Sequence, residues 1–350
     1  MKRRWFFASI LFILSASLTL ALSSYCLPNS VTLRSLAEKR GIEIGAAVAI
    51  PPLKTDPIYQ QLLANQFNTA SVENVMKFEY LHPQPNTYTF EQADTLVNFA
   101  KSHNMKVHAH VLVWHIQLPK WLTEGKFSRD QLITILRDHI HKVVGYYKGK
   151  VQAWDVVNEA LNDDGTLRNT IWLQGIGPDY IEMAFRWARE ADPNVELYYN
   201  DYGADGLGPK SDAVYSLVKK LKAKQVPITG VGLQMHVGLG WAPPKGDVLA
   251  NINRLGDLGL NVHISEMDVQ TYDGPGTEEE KLQKAANLYA DMMSACLSNR
   301  ACKSFTVWGL TDKFSWLPGF TGKPQSPLLF DTNYRPKPAY YALIDVLQNK

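Results

Sequence analysis

The sequence has few cysteines, no large excess of charge of either sign and, beyond about residue 22, no long apolar run. Three cysteines in 350 residues cannot form the disulfide framework of a small secreted domain. The 36 Lys and Arg residues nearly balance 34 Asp and Glu residues, so nucleic acid and anionic membranes are not expected as partners. No linker, low-complexity tract or short repeat interrupts residues 30–350. This length suits one large α/β barrel or two ordinary domains.

The N-terminus carries a segment that differs from the rest of the chain. Basic residues 2–4 precede an apolar run from Trp5 to about Leu22, which small and polar residues follow. This order is typical of a secretory signal peptide, which we assign to residues 1–26 with the cleavage position left open. A transmembrane anchor, a twin-arginine signal and a lipoprotein signal at Cys26 are alternatives. We therefore expect a secreted monomer, extracellular or periplasmic, whose mature form has no membrane attachment.

Two cysteines remain after such a cleavage, Cys296 and Cys302. A pair six residues apart in an exported chain is most simply a local disulfide. Zinc ligation is the rival interpretation, but two thiolates without nearby histidines make a poor zinc site.

Short apolar or β-branched runs alternate with amphipathic segments of helical period along the chain. The predicted strands cover residues 43–49, 68–71, 106–111, 151–157, 195–199, 230–234, 262–265 and 303–307. The predicted helices include residues 90–102, 129–147, 180–191, 210–224, 248–256 and 278–297. Eight such β/α units predict a single-domain (β/α)8 TIM barrel. A doubly wound open sheet is the alternative, but residues 45–51 lack its glycine-rich phosphate turn.

Polar side chains follow the predicted strands at the ends where a barrel builds its active site. They include Glu73, Asn74, His110, Trp114, His115, Asn158, Glu159, Asn200, Asp201, Tyr202, Gln234, His236, Glu266 and Trp308. Two of these, Glu159 and Glu266, each close an apolar run. Two carboxylates delivered to one face can flank a bond and divide the work of acid and nucleophile between them. The pair therefore suggests cleavage of a glycosidic bond.

The residues around this pair suit a sugar. Sugar hydroxyls need side chains that donate or accept hydrogen bonds, whereas sugar rings need flat apolar faces. The first kind is supplied by Asn74, Lys77, His110, Asn158, Gln234 and His236, and the second by Trp114, Tyr202, Trp308 and Trp316. Each residue alone has an ordinary explanation as a solvated carboxylate, a core histidine or a packing tryptophan. The combination favours a sugar site.

A second acid lies close to Glu266 in the sequence. Glu266 and Asp268 share a face if the strand continues, and His236 at the neighbouring strand end could bridge them. Such a bridge would keep Glu266 ionised, as a nucleophile requires. A loop salt bridge is an equally good interpretation of Asp268. Asn158 could bond a substrate 2-hydroxyl, a contact that strengthens in oxocarbenium-like transition states.

Other histidines have simpler explanations. His108 and His110 form an H-x-H pair similar to the metal pair of barrel amidohydrolases. We discount a metal, because that pair would be expected on the first strand with further histidines to complete the shell. His139 and His141 lie on a predicted helix, where we expect them to be solvated.

Several motifs in order resemble glycoside hydrolase family 10, the endo-β-1,4-xylanases, over about residues 30–348. They are FN at 67–68, VENVMK at 72–77, HVLVWH at 110–115, QLP at 117–119, WDVVNEA at 154–160, residues 199–202, GLQMH at 232–236, ISEMD at 264–268, WGLTD at 308–312 and residues 315–316, 327–331 and 337–340. The resemblance implies a (β/α)8 barrel that hydrolyses xylan with net retention. It implies Glu159 as acid/base and Glu266 as nucleophile.

The resemblance also implies further roles. Glu73, Asn74 and Lys77 would hold sugars on the non-reducing side, while His110, Trp114, Gln234, His236, Trp308 and Trp316 would form the walls of the site. Cys296 and Cys302 match a disulfide found in many members. No metal or organic cofactor is expected, and the partner is xylan or a xylo-oligosaccharide. The alternatives are a related barrel enzyme acting on β-glucan or cellulose, and a non-catalytic carbohydrate-binding protein.

Overall fold

A computed structural model of the chain describes residues 31–349. The predicted signal peptide lies outside these residues. Within residues 31–349, none of the helices combines the length and apolar character needed to cross a bilayer.

Parallel strands form the centre of the fold. They are β1 Glu43–Val48, β2 Thr69–Val72, β3 Lys106–Val113, β4 Ala153–Asn158, β5 Glu196–Asp201, β6 Gly230–Leu233, β7 His236–Gly238, β8 Asn261–Gln270 and β9 Cys302–Val307. Each of β1 to β5 pairs with the next strand, β6 pairs with β8, and β9 closes the ring between β8 and β1. The predicted (β/α)8 barrel is confirmed.

Helices surround this barrel, and the long ones cover its outer face. They are α1 Leu33–Arg40, α2 Ile50–Thr55, α3 Pro57–Gln66, α4 Phe78–Leu81, α5 Glu91–Ser102, α6 Lys120–Thr123, α7 Arg129–Tyr147, α8 Ile171–Gly175, α9 Tyr180–Ala191, α10 Pro209–Ala223, α11 Lys245–Asp257, α12 Glu278–Leu297, α13 Leu317–Thr321 and α14 Pro338–Gln348.

Local sequence explains the bounds of the long helices. Ser128 begins α7 through a reciprocal capping box with Gln131, and Thr277 begins α12 in the same way with Glu280. These helices and α9 begin and end at the predicted residues. The strands between them are almost wholly buried, because side chains on one face fill the barrel and those on the other pack under helices.

Strand β8 differs most from its predicted bounds. Strand β8 was predicted to end at Ser265 but continues to Gln270, so Glu266 lies within the strand instead of at its end. The extension has a partner, because the short strand β7 pairs with it at His236↔Asp268. The register of β8 against β9 shifts between Ile264 and Met267. Such an irregularity re-aims side chains next to it, here Glu266.

The prediction that His139 is solvated is wrong. It is fully buried on α7, on the same helix face as Leu132, Leu136 and Val143, and its ring stacks on Phe78 with centroids 3.8 Å apart. Its spacing of three and seven residues from those leucines places it in the apolar stripe. His141 does face solvent, with 39 % of its side chain exposed and Glu190 at 3.2 Å.

Cys296 at the end of α12 is disulfide-bonded to Cys302 at the start of β9. The bond joins the last helix turn to the strand that closes the barrel.

Candidate active site

A cleft of about 840 Å³ opens at the carboxyl ends of the strands. Its lining includes most of the sequence-predicted site residues, namely Glu73, Asn74, Lys77, His110, Trp114, Asn158, Glu159, Tyr202, Gln234, His236, Glu266, Trp308 and Trp316. Asp268 is buried behind two of them, accepting a hydrogen bond from Trp316 Nε1 at 2.8 Å and lying 2.9 Å from His236 Nδ1. The strand ends therefore converge as the barrel topology requires.

Glu159 follows the last residue of β4 with a left-handed backbone, φ 54°. A non-glycine residue there is strained and typical of functional sites. Its N–H donates to the Asn200 carbonyl at 2.9 Å, which ties the turn to β5. The side chain accepts from Trp114 Nε1 at 2.9 Å and from Gln234 Nε2 at 3.1 Å. This carboxyl group is thus held by neutral donors.

Glu266 is 4 % exposed and has a different environment. Its Oε1 accepts from Asn200 Nδ2 at 2.7 Å, and its Oε2 lies 3.2 Å from His236 Nε2. Burial alone would raise the pKa of Glu266, but the charge of His110 and the hydrogen bond with His236 outweigh it, so the pKa is lowered. These contacts favour the ionised form of Glu266.

His236 owes its charge to Asp268. Burial opposes protonation, but the negative charge of Asp268 and the hydrogen bonds to Asp268 and Glu266 raise the pKa of His236 well above its ordinary value. The predicted bridge between the two carboxylates is present in the structure, with 2.9 Å to Asp268 and 3.2 Å to Glu266.

Three amides connect the two glutamates. Asn158 Oδ1 accepts from Asn200 Nδ2 at 2.9 Å and from Gln234 Nε2 at 3.1 Å. The same Asn200 group reaches Glu266, and the same Gln234 group reaches Glu159. Asn158 Nδ2 also lies 3.2 Å from Glu159 Oε1. The two carboxyl groups are therefore oriented by one shared network.

Asp155 lies below this network inside the barrel. Its two oxygens are 2.8 Å from His108 Nε2 and 2.9 Å from His110 Nδ1, so the H-x-H pair of β3 is engaged by one carboxylate. Burial would raise the pKa of Asp155, but the charge and hydrogen bond of His108 and the contact with His110 hold it well below its ordinary value.

A cation lies at one end of the cleft. Lys77 Nζ donates to Asn74 Oδ1 at 2.9 Å and to Gln117 Oε1 at 2.7 Å, and lies 4.9 Å from the Trp114 ring centroid. Burial lowers the pKa of Lys77, while Glu266 opposes that change more than any other acid. Burial likewise raises the pKa of Glu73, and Lys77 offsets part of that rise. These groups can bond several hydroxyls of a neutral ligand.

Aromatic side chains form the walls. Trp308 meets the His110 ring edge-on at 5.3 Å, and Trp316 packs against Phe320 at 4.8 Å. On another side, Tyr202 accepts from Arg168 at 2.9 Å and lies under Lys210 Nζ, 3.3 Å from its ring centroid. Lys210 pairs with Asp201, whose pKa burial nevertheless raises to about 6. Flat faces around polar groups are typical of a saccharide site.

Sequence reasoning did not assign four residues that contribute to this site. Arg168 donates to the Glu159 carbonyl at 3.0 Å from a loop that carries no motif, so no signal pointed to it. Gln117, which bonds Lys77, and His115, which lines the cleft, were visible only as parts of a motif. Asn200 was noted at a strand end, but its bonds to Glu266 and Asn158 could not be inferred from its position alone.

Comparisons with known proteins agree with this geometry. Residues 32–346 match the family model described as Glycosyl hydrolase family 10. The chain is 42 % identical over 330 residues to endo-1,4-beta-xylanase B of Thermotoga neapolitana, covering 92 % of this chain and 93 % of that relative. It is 41 % identical to exoglucanase XynX of Acetivibrio thermocellus over 85 % of this chain but only 28 % of that relative. Its fold is similar to xylanase 10B from Thermotoga petrophila RKU-1 in complex with xylobiose, with a TM-score of 0.89, 43 % identity, and coverage of 92 % of this chain and 99 % of that chain.

Proposed function

The chain belongs to glycosyl hydrolase family 10, and from this premise we propose that it is a retaining endo-1,4-β-xylanase acting on internal bonds of xylan. The observation that carries the proposal is the joint placement of Glu159 and Glu266 in one cleft whose other residues suit a sugar. Their environments differ in the way that an acid and a nucleophile need, since Glu266 contacts histidines and Glu159 contacts neutral donors.

The first step forms a covalent sugar ester. Glu266 attacks the anomeric carbon as the bond to the leaving oxygen breaks, and protonated Glu159 donates its proton to that oxygen. In the second step Glu159, now a carboxylate, takes a proton from water. That water displaces Glu266 from the sugar, and two inversions give net retention. The shared network through Asn158 supports this division, because it orients both groups without placing a cation on Glu159.

The surrounding residues have binding roles in this proposal. Asn158 bonds the 2-hydroxyl of the reacting sugar, while His236 and Asp268 keep Glu266 ionised. Glu73, Asn74 and Lys77 hold sugars on the non-reducing side. The walls are formed by His110, Trp114, Tyr202, Gln234, Trp308 and Trp316. The two steps use only protein side chains and water, so the reaction as proposed needs no cofactor.

Anomeric analysis and one substitution test this mechanism. Glu266→Ala should reduce kcat on xylopentaose by at least about 10³-fold, since it removes the nucleophile itself. Glu190→Ala on the surface of α9 serves as a matched control and should retain full activity. Proton NMR of the wild-type reaction should show the β-anomer first. Near-normal turnover by Glu266→Ala, or initial release of the α-anomer, would contradict the proposal.

A β-glucanase is the alternative that a specific observation favours, because one relative is named an exoglucanase. Xylose lacks the hydroxymethyl arm of glucose, so the room beside Trp308 and Trp316 decides between the two substrates. Rates on xylan and carboxymethyl cellulose separate them, and a faster rate on the cellulose derivative would favour the alternative.

We also propose that residues 30–348 form the catalytic domain of an exported monomer and that residues 1–26 are its signal peptide. A basic segment followed by an apolar run supports this assignment. N-terminal sequencing of the enzyme recovered outside the cytoplasm tests it, and an intact N-terminus on cytoplasmic enzyme would contradict it.

A further inference from the structure

A column of buried titratable groups runs along the barrel axis beneath Glu266. His263 Nδ1 on β8 lies 3.1 Å from His108 Nδ1 on β3, and His108 Nε2 lies 2.8 Å from Asp155 on β4. The other Asp155 oxygen contacts His110 Nδ1 at 2.9 Å, and that nitrogen is 3.9 Å from Glu266 Oε1. All five residues are at most 7 % exposed.

Strand register explains why the column forms. His108 and His110 are two residues apart on β3 and point into the barrel together. His110 pairs with Asp155 in the β3–β4 register, while His108 pairs with Ala153. The Asp155 carboxylate is therefore reached by one histidine at its own level and by another from the level below.

Proton counting restricts the state of His108. Both Asp155 oxygens face ring nitrogens, so His108 Nε2 and His110 Nδ1 each carry a proton when Asp155 is ionised. Between His108 and His263, one Nδ1 must donate and the other accept. Burial and the neighbouring His108 lower the pKa of His263 well below its ordinary value. Burial opposes a charge on His108 too, but Asp155 outweighs it and raises the pKa of His108. Either a charged His108 that donates to both neighbours or a neutral His108 that accepts from His263 satisfies these contacts, and the buried Asp155 carboxylate at 2.8 Å favours the charged form.

The other groups around His108 agree with this assignment. Glu43 of β1 and Glu196 of β5 add negative charge, and Glu196 accepts a hydrogen bond from Tyr198, whose ring stacks on His263 at 4.1 Å. The positive charge of Lys106 on β3 would oppose a charged His108, but Lys106 is paired with Glu43 at 2.6 Å. A polar cavity of about 460 Å³ at the base of the barrel is lined by His263, Glu43, Glu196 and Lys106.

The charge matters because Asp155 faces the nucleophile. One oxygen of Asp155, one nitrogen of His110 and one oxygen of Glu266 lie within 4.8 Å of one another. Two carboxylates at that separation disfavour each other's ionised form unless a cation compensates. On the cleft side, the positive charge of His236 compensates the negative charge of Glu266, and His236 also contacts Asp268. His110 Nδ1 lies between Asp155 and Glu266, so the two carboxylates share its charge. The other Asp155 oxygen contacts His108, and a second positive charge there favours the ionised form of both carboxylates.

We infer that His108 is a positioning residue for the proposed hydrolysis, a buried cation that neutralises Asp155 and so keeps Glu266 ionised from beneath. The inference rests on the proposed function of Glu266 as nucleophile. It gives the base of the barrel a part in setting the pH range of activity, although His108 itself does not line the cleft.

The pH dependence of kcat/KM on xylopentaose tests the inference, since its acid limb reports ionisation of the nucleophile in the free enzyme. Removing a nearby positive charge destabilises the carboxylate, so His108→Gln should move the acid limb to higher pH by about one unit. His108→Arg keeps a permanent charge that can bond a carboxylate, and its limb should stay close to the wild-type position. His141→Gln, an exposed histidine of α7, is the control and should not shift the limb.

An unshifted limb in His108→Gln, or equal shifts in the Gln and Arg variants, would overturn the inference. If neither variant folds, nitrogen NMR of wild-type protein labelled at histidine still decides it. Both His108 nitrogens should carry protons at pH 6, and a neutral His108 would overturn the inference. If the wild type cleaves no xylo-oligosaccharide, the proposed function fails. The carboxyl titration of Glu266 by carbon NMR in wild type and His108→Gln then tests His108 independently.

Discussion

Two buried histidines, His139 on α7 and His82 directly after α4, predict a loss of stability in mild acid. His82 and His139 lie in one aromatic stack with Phe78 and Tyr88, with the His82 ring 4.2 Å from that of Tyr88. Among the described residues, neither ring nitrogen of either histidine has a hydrogen-bond partner. Burial lowers the pKa of His82 from 6.5 to about 4 and lowers that of His139 well below its ordinary value. Both rings are therefore neutral in the folded protein.

The sign of the effect follows from linkage. Between pH 6.5 and 4 the unfolded chain binds protons at these histidines and the folded protein does not, so the free energy of unfolding falls as the pH falls. The shift of His82 corresponds to about 3 kcal/mol at most, and to about 2 kcal/mol after allowance for solvent screening. The full contribution is present above pH 6.5 and is lost near pH 4.

His82→Phe tests this reasoning, because phenylalanine keeps the stack and cannot take up a proton. Urea unfolding followed by tryptophan fluorescence gives the free energy of unfolding at several values between pH 7 and 4. Any packing cost of the larger ring is the same at each pH, so the slope carries the result. The variant should lose about 2 kcal/mol less than wild type across this range. His141→Gln on the exposed side of α7 should keep the wild-type slope. Parallel curves for wild type and His82→Phe would refute the reasoning.

Three further outcomes are expected. Asp268→Asn removes the main counter-charge of His236, so the pKa of the nucleophile should rise. The acid limb of kcat/KM should then move upward by about one pH unit, and an unchanged limb would contradict the bridge. Replacing Cys296 and Cys302 by serine opens a short loop and should cost about 2 kcal/mol in urea unfolding, with no loss if the bond is absent from the purified enzyme. Trp241→Ala removes a half-exposed ring at the edge of the cleft. The change should slow cleavage of xylohexaose several-fold more than cleavage of xylotriose, and equal effects on both would argue against a role of Trp241 in binding distant sugars.

The barrel could be predicted because its pattern repeats. Each strand is a short apolar run, each long helix has an apolar stripe, and the polar strand ends recur in the order that one active face requires. Capping residues such as Ser128 and Thr277 are visible in the sequence, which is why α7 and α12 begin where expected. The two glutamates were identifiable for the same reason, since each follows an apolar run.

Features that depend on contacts between distant segments could not be predicted. Strand β7 has three residues and no periodicity of its own; it forms because the extension of β8 offers a partner. Arg168 reaches the site from a loop whose path is set by tertiary packing. His139 was misjudged because a polar residue type outweighed its position in an apolar stripe. For β7 and Arg168 the local sequence carries no signal and tertiary structure decides, whereas the apolar stripe around His139 was a local signal that predicted its burial.

The amide network has a consequence for engineering. Because the Asn158 carbonyl oxygen accepts from both Asn200 and Gln234, any change to it alters the support of Glu159 and Glu266 together. Substitutions in this trio should therefore be strongly non-additive in double-mutant cycles. To convert the enzyme into one that synthesises oligosaccharides, substitutions at the edge of the cleft, for example at Trp241, are therefore preferable to substitutions that change the contacts of either carboxylate alone.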